Sequence, residues 1–376
     1  MGKRELVLVL TFVVIGVVVY QLTATPPPAG QQGFSFSRLF QNVRRATRGR
    51  PAHATVQKTR SEAIDPSTNE LRVKVPIVDL TVVGEDRADV ATELSVDSDG
   101  VDQADAQKLA NATNLQWTQV GNGLAVGIDF PVDGRQRASL TVHVPKRFVV
   151  RVESKTGKLD IQHVSSVDVR GNRGDSRISD IADEVGITHR SGSLNVTQAG
   201  SVRLTVSGGD AHVSEVRGAG SIDISGSNLE LAGIRGPLDV KSRGTDVRLR
   251  DIGQLQPTLR LDMQSGELVI DGLQTETRIE GRNTEMRVAL ARAAPLTIYN
   301  TAEDVVITAP PDGYTLDAVA TDGVLSIDDG PGGGVAVAKA ADEREQRASG
   351  AVRGGGPTIS LRNTNGDISI RKHEGK

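Results

Sequence analysis

The sequence contains no cysteine and few aromatic residues. Its 376 residues include six Phe, three Tyr and one Trp, against 41 Gly, and 37% of them are hydrophobic. Without cysteine there can be no disulfide scaffold, no thiol catalysis and no thiolate zinc site. With so few rings, little stacking on nucleic-acid bases or sugars is available. A core built from this composition must therefore consist mainly of aliphatic side chains.

Acidic residues are almost absent from the first 60 positions. This segment holds nine basic residues and one acidic residue, so its formal charge is +8, whereas the rest of the chain carries −11. The formal net charge of −3 therefore averages a basic N-terminal segment and an acidic body. Because an acidic body repels the phosphate backbone, nucleic acid is not an expected partner.

One long apolar run lies near the start of the chain. Lys3 and Arg4 precede residues 6–22, LVLVLTFVVIGVVVYQL. As a helix this run rises about 25 Å, slightly less than a hydrocarbon layer of about 30 Å. Leu22-Thr23-Ala24 is a poor match to a cleavage site, so an uncleaved transmembrane anchor is favoured over a cleaved signal peptide.

The flanking charges favour one topology of this anchor. The basic residues before the run favour a cytoplasmic tail of residues 1–5 and an exported body, periplasmic or extracellular, at the bacterial cytoplasmic membrane. The positive charge that follows the run leaves a cytoplasmic body as the alternative. The expected lipid contacts are made by the anchor and by the basic segment after it.

Residues 23–65 are interpreted as a flexible basic stalk. Near an anionic membrane surface each basic residue contributes about 1 kcal/mol of attraction, and apolar rings at helical spacing suit the interface. A solvated tether without lipid contacts is an equal alternative. The residues predicted to contact the membrane surface are Phe36, Arg38, Phe40, Arg44, Arg45, Arg48 and Arg50.

From residue 148 the sequence repeats with a period of 17 or 18 residues. In eleven units, aliphatic residues recur three positions after each turn and apolar residues recur six positions before it. A third apolar column, six positions after the turn, runs from Val164 to Ala291. Each unit therefore has two short strands with one buried face, joined by glycine turns such as Ser191-Gly192. Since such units must stack, the predicted fold is all-β: a parallel β-solenoid (β-helix) of about ten or eleven coils, mainly over residues 148–328.

The segments on either side of the main repeat differ from it. Residues 66–147 predict strands and a helix at 100–113 with Asp99 as its N-cap, and they are interpreted as an N-terminal cap. Residues 329–357 are glycine-flanked and charged, which predicts a flexible loop in which a short helix is an open alternative. Residues 358–376 are interpreted as the last coil and a tail.

Two sequence features carry a resemblance to a known family. Residues 144–152, VPKRFVVRV, enter the first coil, and S-G-x-L-x-V and G-D-I-x-I elements recur after it. Over residues 70–370 the chain resembles the bacterial DUF4097 family, whose members carry the name "putative adhesin". The resemblance implies a membrane-associated β-solenoid, and some relatives accompany envelope-stress systems. It offers no catalytic residue to carry over, and the interruption at 329–357 departs from its pattern.

No catalytic signature is evident in the sequence. It has neither a Walker-type phosphate loop nor a G-x-S-x-G nucleophile elbow. His163, His189 and His212 do not follow the repeat, so we expect them on the surface rather than in a metal site. Acidic residues such as Asp175 and Asp246 follow many turns, where calcium binding is a minor alternative to ordinary turn chemistry. No cofactor is expected.

The outward side chains offer two further patterns. Arg173-Gly174-Asp175 spells the tripeptide that animal integrins bind, but Arg-Gly recurs elsewhere in the chain, so chance explains it well. A column of mixed charge should face outward with no obvious pocket. Its members are Arg177, Asn195, His212, Glu230, Arg248 and Arg287.

The predicted function is non-enzymatic. We expect a membrane-anchored envelope protein that displays a β-solenoid for adhesion, partner binding or envelope-stress sensing, with an unidentified envelope protein or polymer as partner. One alternative is a polymerising β-helical scaffold, which would need apolar, uncapped ends. Another is a polysaccharide-active enzyme, which would need aromatic platforms or an acid–base cluster.

Overall fold

The computed structural model describes residues 52–131, 135–252, 258–328, 335–339 and 344–372. Within these ranges the chain forms 25 strands and one helix, so the fold is all-β and solenoid-like. None of its described helical structure is long and apolar enough to cross a membrane. The predicted anchor at 6–22 lies outside the described residues.

Most strands stack in parallel, in two rows on either side of the glycine turns. Row A precedes each turn and row B follows it. Row A contains β2 (Glu70–Ile77), β6 (Gly123–Asp129), β8 (Val149–Thr156), β10 (Ser166–Asn172), β14 (Leu238–Arg243), β18 (Leu296–Thr301), β20 (Tyr314–Thr321) and β24 (Thr358–Thr364). Row B contains β3 (Asp79–Glu85), β7 (Arg135–Pro145), β9 (Leu159–Gln162), β15 (Asp246–Arg250), β19 (Val305–Thr308), β21 (Leu325–Asp328) and β25 (Ile368–Arg371). Five longer strands contribute to both rows: β11 (Ser176–His189), β12 (Leu194–Val216), β13 (Gly220–Ala232), β16 (Leu259–Leu273) and β17 (Thr277–Leu290).

The register of these strands confirms the predicted repeat. Val169 pairs with Ile187, and Leu204 pairs with Ile222, so equivalent residues of successive coils lie directly above one another. Side chains of the predicted apolar columns face inward and are at most 4% exposed along most of the stack. Ala291 is an exception because it is exposed. Aliphatic columns without rings thus fill the narrow core.

A second corner of the coil also uses left-handed backbone, and glycine occupies it in only some coils, such as those of Gly233 and Gly272. The sequence predicts positive φ at the glycine turns, and Gly192 and Gly209 adopt it. At the corner that follows row B, however, the left-handed residues of five coils are polar rather than glycine. They are His163, Asp180, Gln198, Glu215 and Asp251, with φ between 52° and 59°. The third apolar column predicts this corner, but its left-handed backbone was not predicted, because positive φ is uncommon for residues other than glycine.

The predicted N-terminal cap contributes two further coils. β2 lies between β6 and β8, and β3 lies between β7 and β9, all with parallel pairing. Residues 70–85 and 123–145 therefore belong to the stack, which has thirteen coils within the described ranges rather than ten or eleven. The order of these coils in the stack differs from their order in the sequence. Residues 123–145 form the outer coil, although they follow residues 70–85, which form the inner one.

The same inversion occurs at the C-terminal end. β24 lies between β18 and β20, and β25 lies between β19 and β21. The prediction that residues 358–376 include the last coil of the stack was therefore wrong. Residues 358–371 instead form a layer between two coils that precede them in the sequence.

Antiparallel strands cover the outer coils of row A at both ends. β5 (Asn114–Val120) pairs with β6, and β23 (Glu345–Val352) pairs with β20. The short strand β22 (Ala338–Lys339) then pairs with β23. The prediction of a flexible loop at 329–357 is thus wrong for the residues of β23. There, the buried side chains of Ala348 and Val352 hold the strand against the core.

The N-terminal end of row B carries its own antiparallel cover. β4 (Asp89–Gly100) pairs with β7, and the helix α1 (Gln103–Ala112) follows it. Because β4 continues through Gly100, the helix begins later than predicted. Its N-cap is Asp102 rather than the predicted Asp99. The Asp102 side chain accepts a hydrogen bond from the main-chain amide of Asp105 at 2.8 Å.

The end of the predicted stalk is a strand. β1 (Ala52–Ala63) pairs with β4, and the Ser61 hydroxyl donates to the Asp89 carboxylate at 2.6 Å. Lys58 Nζ donates to the carbonyl oxygens of Asn111 and Thr113, where a cation meets the C-terminal end of α1. Residues 52–63 are therefore part of the folded body.

Candidate functional site

A polar groove lies on the outer surface of row B. Five members of the predicted mixed-charge column line it, and its volume is about 1000 Å³. These members are Arg177, Asn195, His212, Glu230 and Arg248. Arg287, the sixth member, does not line it. The expectation that this column has no pocket was therefore wrong, because a second column of side chains stands beside it and forms the other wall.

The second wall is the column of residues that follow the turns. It runs over seven coils, which span about 29 Å at the usual strand spacing. Its members are Asp79, Lys158, Asp175, Ser193, Asp210, Asn228 and Asp246. Aspartate thus recurs on every second coil along this wall.

Hydrogen bonds between coils explain why aspartate recurs here. Asp79 Oδ1 accepts the main-chain amide of Lys158 at 2.8 Å, and Asp246 Oδ1 accepts that of Glu267 at 3.0 Å. Asp175 Oδ1 likewise accepts from the amide and hydroxyl of Ser193. Each carboxylate therefore stabilises the turn of the next coil. The described part of the chain contains no group of three or more His, Asp or Glu side chains that could hold a metal ion.

The aspartates that follow the turns and bond to the next coil are called the aspartate ladder here. The Arg173-Gly174-Asp175 tripeptide is part of this ladder. The two hydrogen bonds from Ser193 lower the pKa of Asp175 below its usual range. Gly174 packs so closely that a Cβ atom there would lie 2.2 Å from the carbonyl oxygen of Gly157. The tripeptide is thus a structural turn whose carboxylate is already engaged.

The charges in the groove are unevenly paired. Glu230 contacts His212 Nδ1 at 3.4 Å and Arg250 Nη1 at 3.3 Å. Arg177 and Arg248, by contrast, form no ion pair or side-chain hydrogen bond with any described residue. Both guanidinium groups are exposed and can reach a ligand without breaking an existing contact.

The three central histidines have separate environments, as predicted. His163 lies 3.4 Å from Asp180 at the left-handed corner, and His212 lies in the groove. The surface prediction was wrong for His189, which is 1% exposed. Burial lowers the pKa of His189, so the neutral ring is favoured. Its place in the register, directly paired with Val206, was the available signal that it faces inward.

The predicted membrane-contact residues lie outside the described residues. They are Phe36, Arg38, Phe40, Arg44, Arg45, Arg48 and Arg50. Their contact with lipid stays a prediction.

A family model and three solved structures resemble this chain. Residues 68–236 match the model "Toastrack DUF4097", which confirms the resemblance over that segment. Among curated proteins, none matches the sequence. The structural comparison found a "putative cell adhesion protein" from Clostridium sporogenes, with 7% identity, a TM-score of 0.19, and coverage of 85% of this chain and 100% of that one.

The other two structures are described as a "putative adhesin". The protein from Parabacteroides distasonis has 12% identity and a TM-score of 0.29, and the one from Bacteroides fragilis has 11% identity and a TM-score of 0.19. Each comparison covers 85% of this chain and 97% of the other. At these TM-scores the likenesses add nothing to the fold described above.

Proposed function

We propose that this chain, in which residues 68–236 match the Toastrack DUF4097 family, is a non-enzymatic protein of the bacterial envelope. Its apolar residues 6–22 anchor it in the cytoplasmic membrane, and its solenoid is displayed on the outer side to bind an extended partner. The groove on row B carries this proposal, because it runs over seven coils and is bordered by side chains with polar or charged ends.

Antiparallel covers on three of the four outer strands of the stack, among the described residues, support display by single molecules. β5 and β23 pair antiparallel with the outer coils of row A, and β4 does so for row B at the N-terminal end. Coil-on-coil polymerisation would require such edges to be free. The groove therefore supports partner binding better than a filament-forming scaffold.

Cysteine labelling tests the anchor and the display together. The chain contains no native cysteine, so any label reports the introduced thiol. In spheroplasts, a membrane-impermeant maleimide should label a Ser221→Cys variant at once, since Ser221 is exposed on row A. A matched Lys3→Cys variant should react only after lysis, and both should sediment with membranes. The reverse labelling pattern, or recovery in the soluble fraction, would refute the proposal.

The basic segment is proposed to hold the protein against anionic lipid. Replacing Arg44, Arg45, Arg48 and Arg50 together with Gln should weaken binding to anionic vesicles, at about 1 kcal/mol per charge in low salt. Binding to neutral vesicles should not change, because the anchor supplies it. Vesicle flotation at several salt concentrations measures both. Equal flotation of the variant and the wild type on anionic vesicles would assign the segment to a solvated tether.

A further inference from the structure

We propose that the row B groove binds a linear polysaccharide that carries amino groups. This inference rests on the proposed function and names the class of its extended partner. It follows from the chemistry of the groove walls, from their net charge and from the length of the groove.

The outward side chains that line the groove all end in polar or charged groups. Its outward side chains are carboxylates, amides, hydroxyls, one imidazole and three cations. The apolar residues that border it, such as Leu159 and Leu194, are at most 3% exposed. A protein partner usually inserts apolar or aromatic anchors at the centre of an interface, whereas the side chains that border this groove are polar or charged at their ends. A polymer rich in hydroxyl groups can instead use the donors and acceptors on every coil.

The charge of the groove selects against acidic polymers. Six carboxylates line it against Lys158, Arg177 and Arg248, and Arg250 pairs with Glu230 at its border, so six acids against four bases give a formal charge of −2, counting His212 as neutral. A polyanion would be repelled, whereas protonated amines complement the carboxylates. The aspartates of the ladder recur about 9.6 Å apart, on every second coil. Each uses Oδ1 within the ladder, as Asp246 does, and leaves Oδ2 for an amine.

Asp160 is a carboxylate that can contribute to binding without also holding two coils together. It pairs in register with Arg177 and lies toward the N-terminal end of the first wall. No described side chain donates a hydrogen bond to it or lies within ion-pair distance of it. Unlike the ladder aspartates, it can be replaced without removing a contact between coils. Asp239, exposed on row A and also without such a partner, offers the same substitution on the opposite surface.

The groove is long enough for several weak contacts to act together. A smaller cavity of about 380 Å³ adjoins it and shares Asp210, Asn228 and Asp246 as lining residues. The rest of its edge is formed by Gly209, Gly226, Ser227 and Gly244. Single polar contacts with a hydrated polymer are weak, but successive contacts on one chain multiply through effective concentration. Affinity should therefore rise with oligomer length until the oligomer fills the groove.

Fluorescence anisotropy with the full chain in detergent micelles tests this inference. The probe is a labelled β-linked glucosamine hexamer, compared with its fully N-acetylated form and with oligogalacturonate. We expect binding of the glucosamine hexamer, at least fivefold weaker binding of the acetylated form, and no binding of the acidic oligomer. Asp160→Lys should weaken hexamer binding at least tenfold, and Asp160→Asn about threefold. Asp239→Lys should stay within twofold of the wild type.

Three outcomes would overturn the inference. An equal loss in Asp239→Lys would mean that only the total charge attracts the probe. Tighter binding of oligogalacturonate would mean that the arginines, not the carboxylates, select the ligand. The absence of hexamer binding to a wild-type chain with intact circular dichroism would exclude the ligand class. None of these would affect cysteine labelling, so the anchored display stands or fails separately.

Discussion

Replacing Gly209 with alanine should unfold the solenoid at much lower denaturant than replacing Gly226. Gly209 has a φ of 89°, and a Cβ atom there would lie 1.9 Å from the carbonyl oxygen of Gly192 in the coil beneath. The neighbouring main chain would have to move, since no flexible side chain can yield. Left-handed strain and overpacking together should cost about 2–5 kcal/mol of the free energy of unfolding.

Gly226 is a control for this substitution at a neighbouring position of the turn, one residue before Ser227, which is the register partner of Gly209. It lies in the next coil at the same turn, with a φ of 61°, but a Cβ atom there would meet nothing within 4 Å. Gly226→Ala should therefore cost only the left-handed strain, about 1 kcal/mol. Denaturation by urea, followed by circular dichroism, compares the two midpoints. Equal shifts would mean that the close stacking of turns is not what requires glycine at position 209.

The repeat could be predicted from the sequence because its cause is local. Ile161 and Ile178 recur at a fixed distance from a glycine turn, and alternation within each strand shows which face is buried. Any stacking of such units in register buries both residues, so period, strand pairs and aliphatic core follow without further information.

The order of the coils could not be predicted in the same way. Leu361 and Ile370 have the aliphatic character that every layer of the stack requires, so their pattern fits an inner coil as well as a terminal one. What decides their place is the pairing of β20 with β23, which lets the chain cover an outer coil before it returns. Such pairing depends on contacts between distant segments, which a periodic pattern does not record.

The groove was predicted only in part. The repeat placed Arg177 and Arg248 in one outward column, and the structure confirms this placement. The volume between two columns depends on side-chain directions and on the twist of the sheet, neither of which the spacing determines. The ladder role of Asp175 was likewise hidden, because the amide that it caps lies 18 residues away at Ser193.

The inserted coil provides the second large effect, through a buried amide. Asn363 is 1% exposed, and its Nδ2 donates to the carbonyl oxygens of Glu303 at 2.8 Å and Asp367 at 3.1 Å. Asn300, its partner in register, donates to the same Glu303 carbonyl at 2.9 Å. The two amides therefore join the coil before the insertion to the inserted coil itself.

Asn363→Asp keeps the shape of the side chain but removes both donors. A buried carboxylate would face two carbonyl oxygens with no compensating cation, which should cost about 3–5 kcal/mol of unfolding free energy at neutral pH. Asn365→Asp, in the same coil but exposed, should cost less than about 0.5 kcal/mol. Because the two substitutions add the same charge, their difference isolates burial.

The pH dependence of the Asn363→Asp variant gives the sharper test. Burial should raise the pKa of the introduced carboxyl above its unfolded value, so the folded state holds a proton that the unfolded state has released. Relative to Asn365→Asp, the variant should therefore regain stability as the pH falls toward 4, where a protonated carboxyl can donate to one carbonyl again. Urea midpoints measured for both variants between pH 7 and pH 4 should converge. Midpoints that keep a constant separation over this range would mean that lost packing, rather than a buried charge facing two carbonyl oxygens, destabilises the inserted coil.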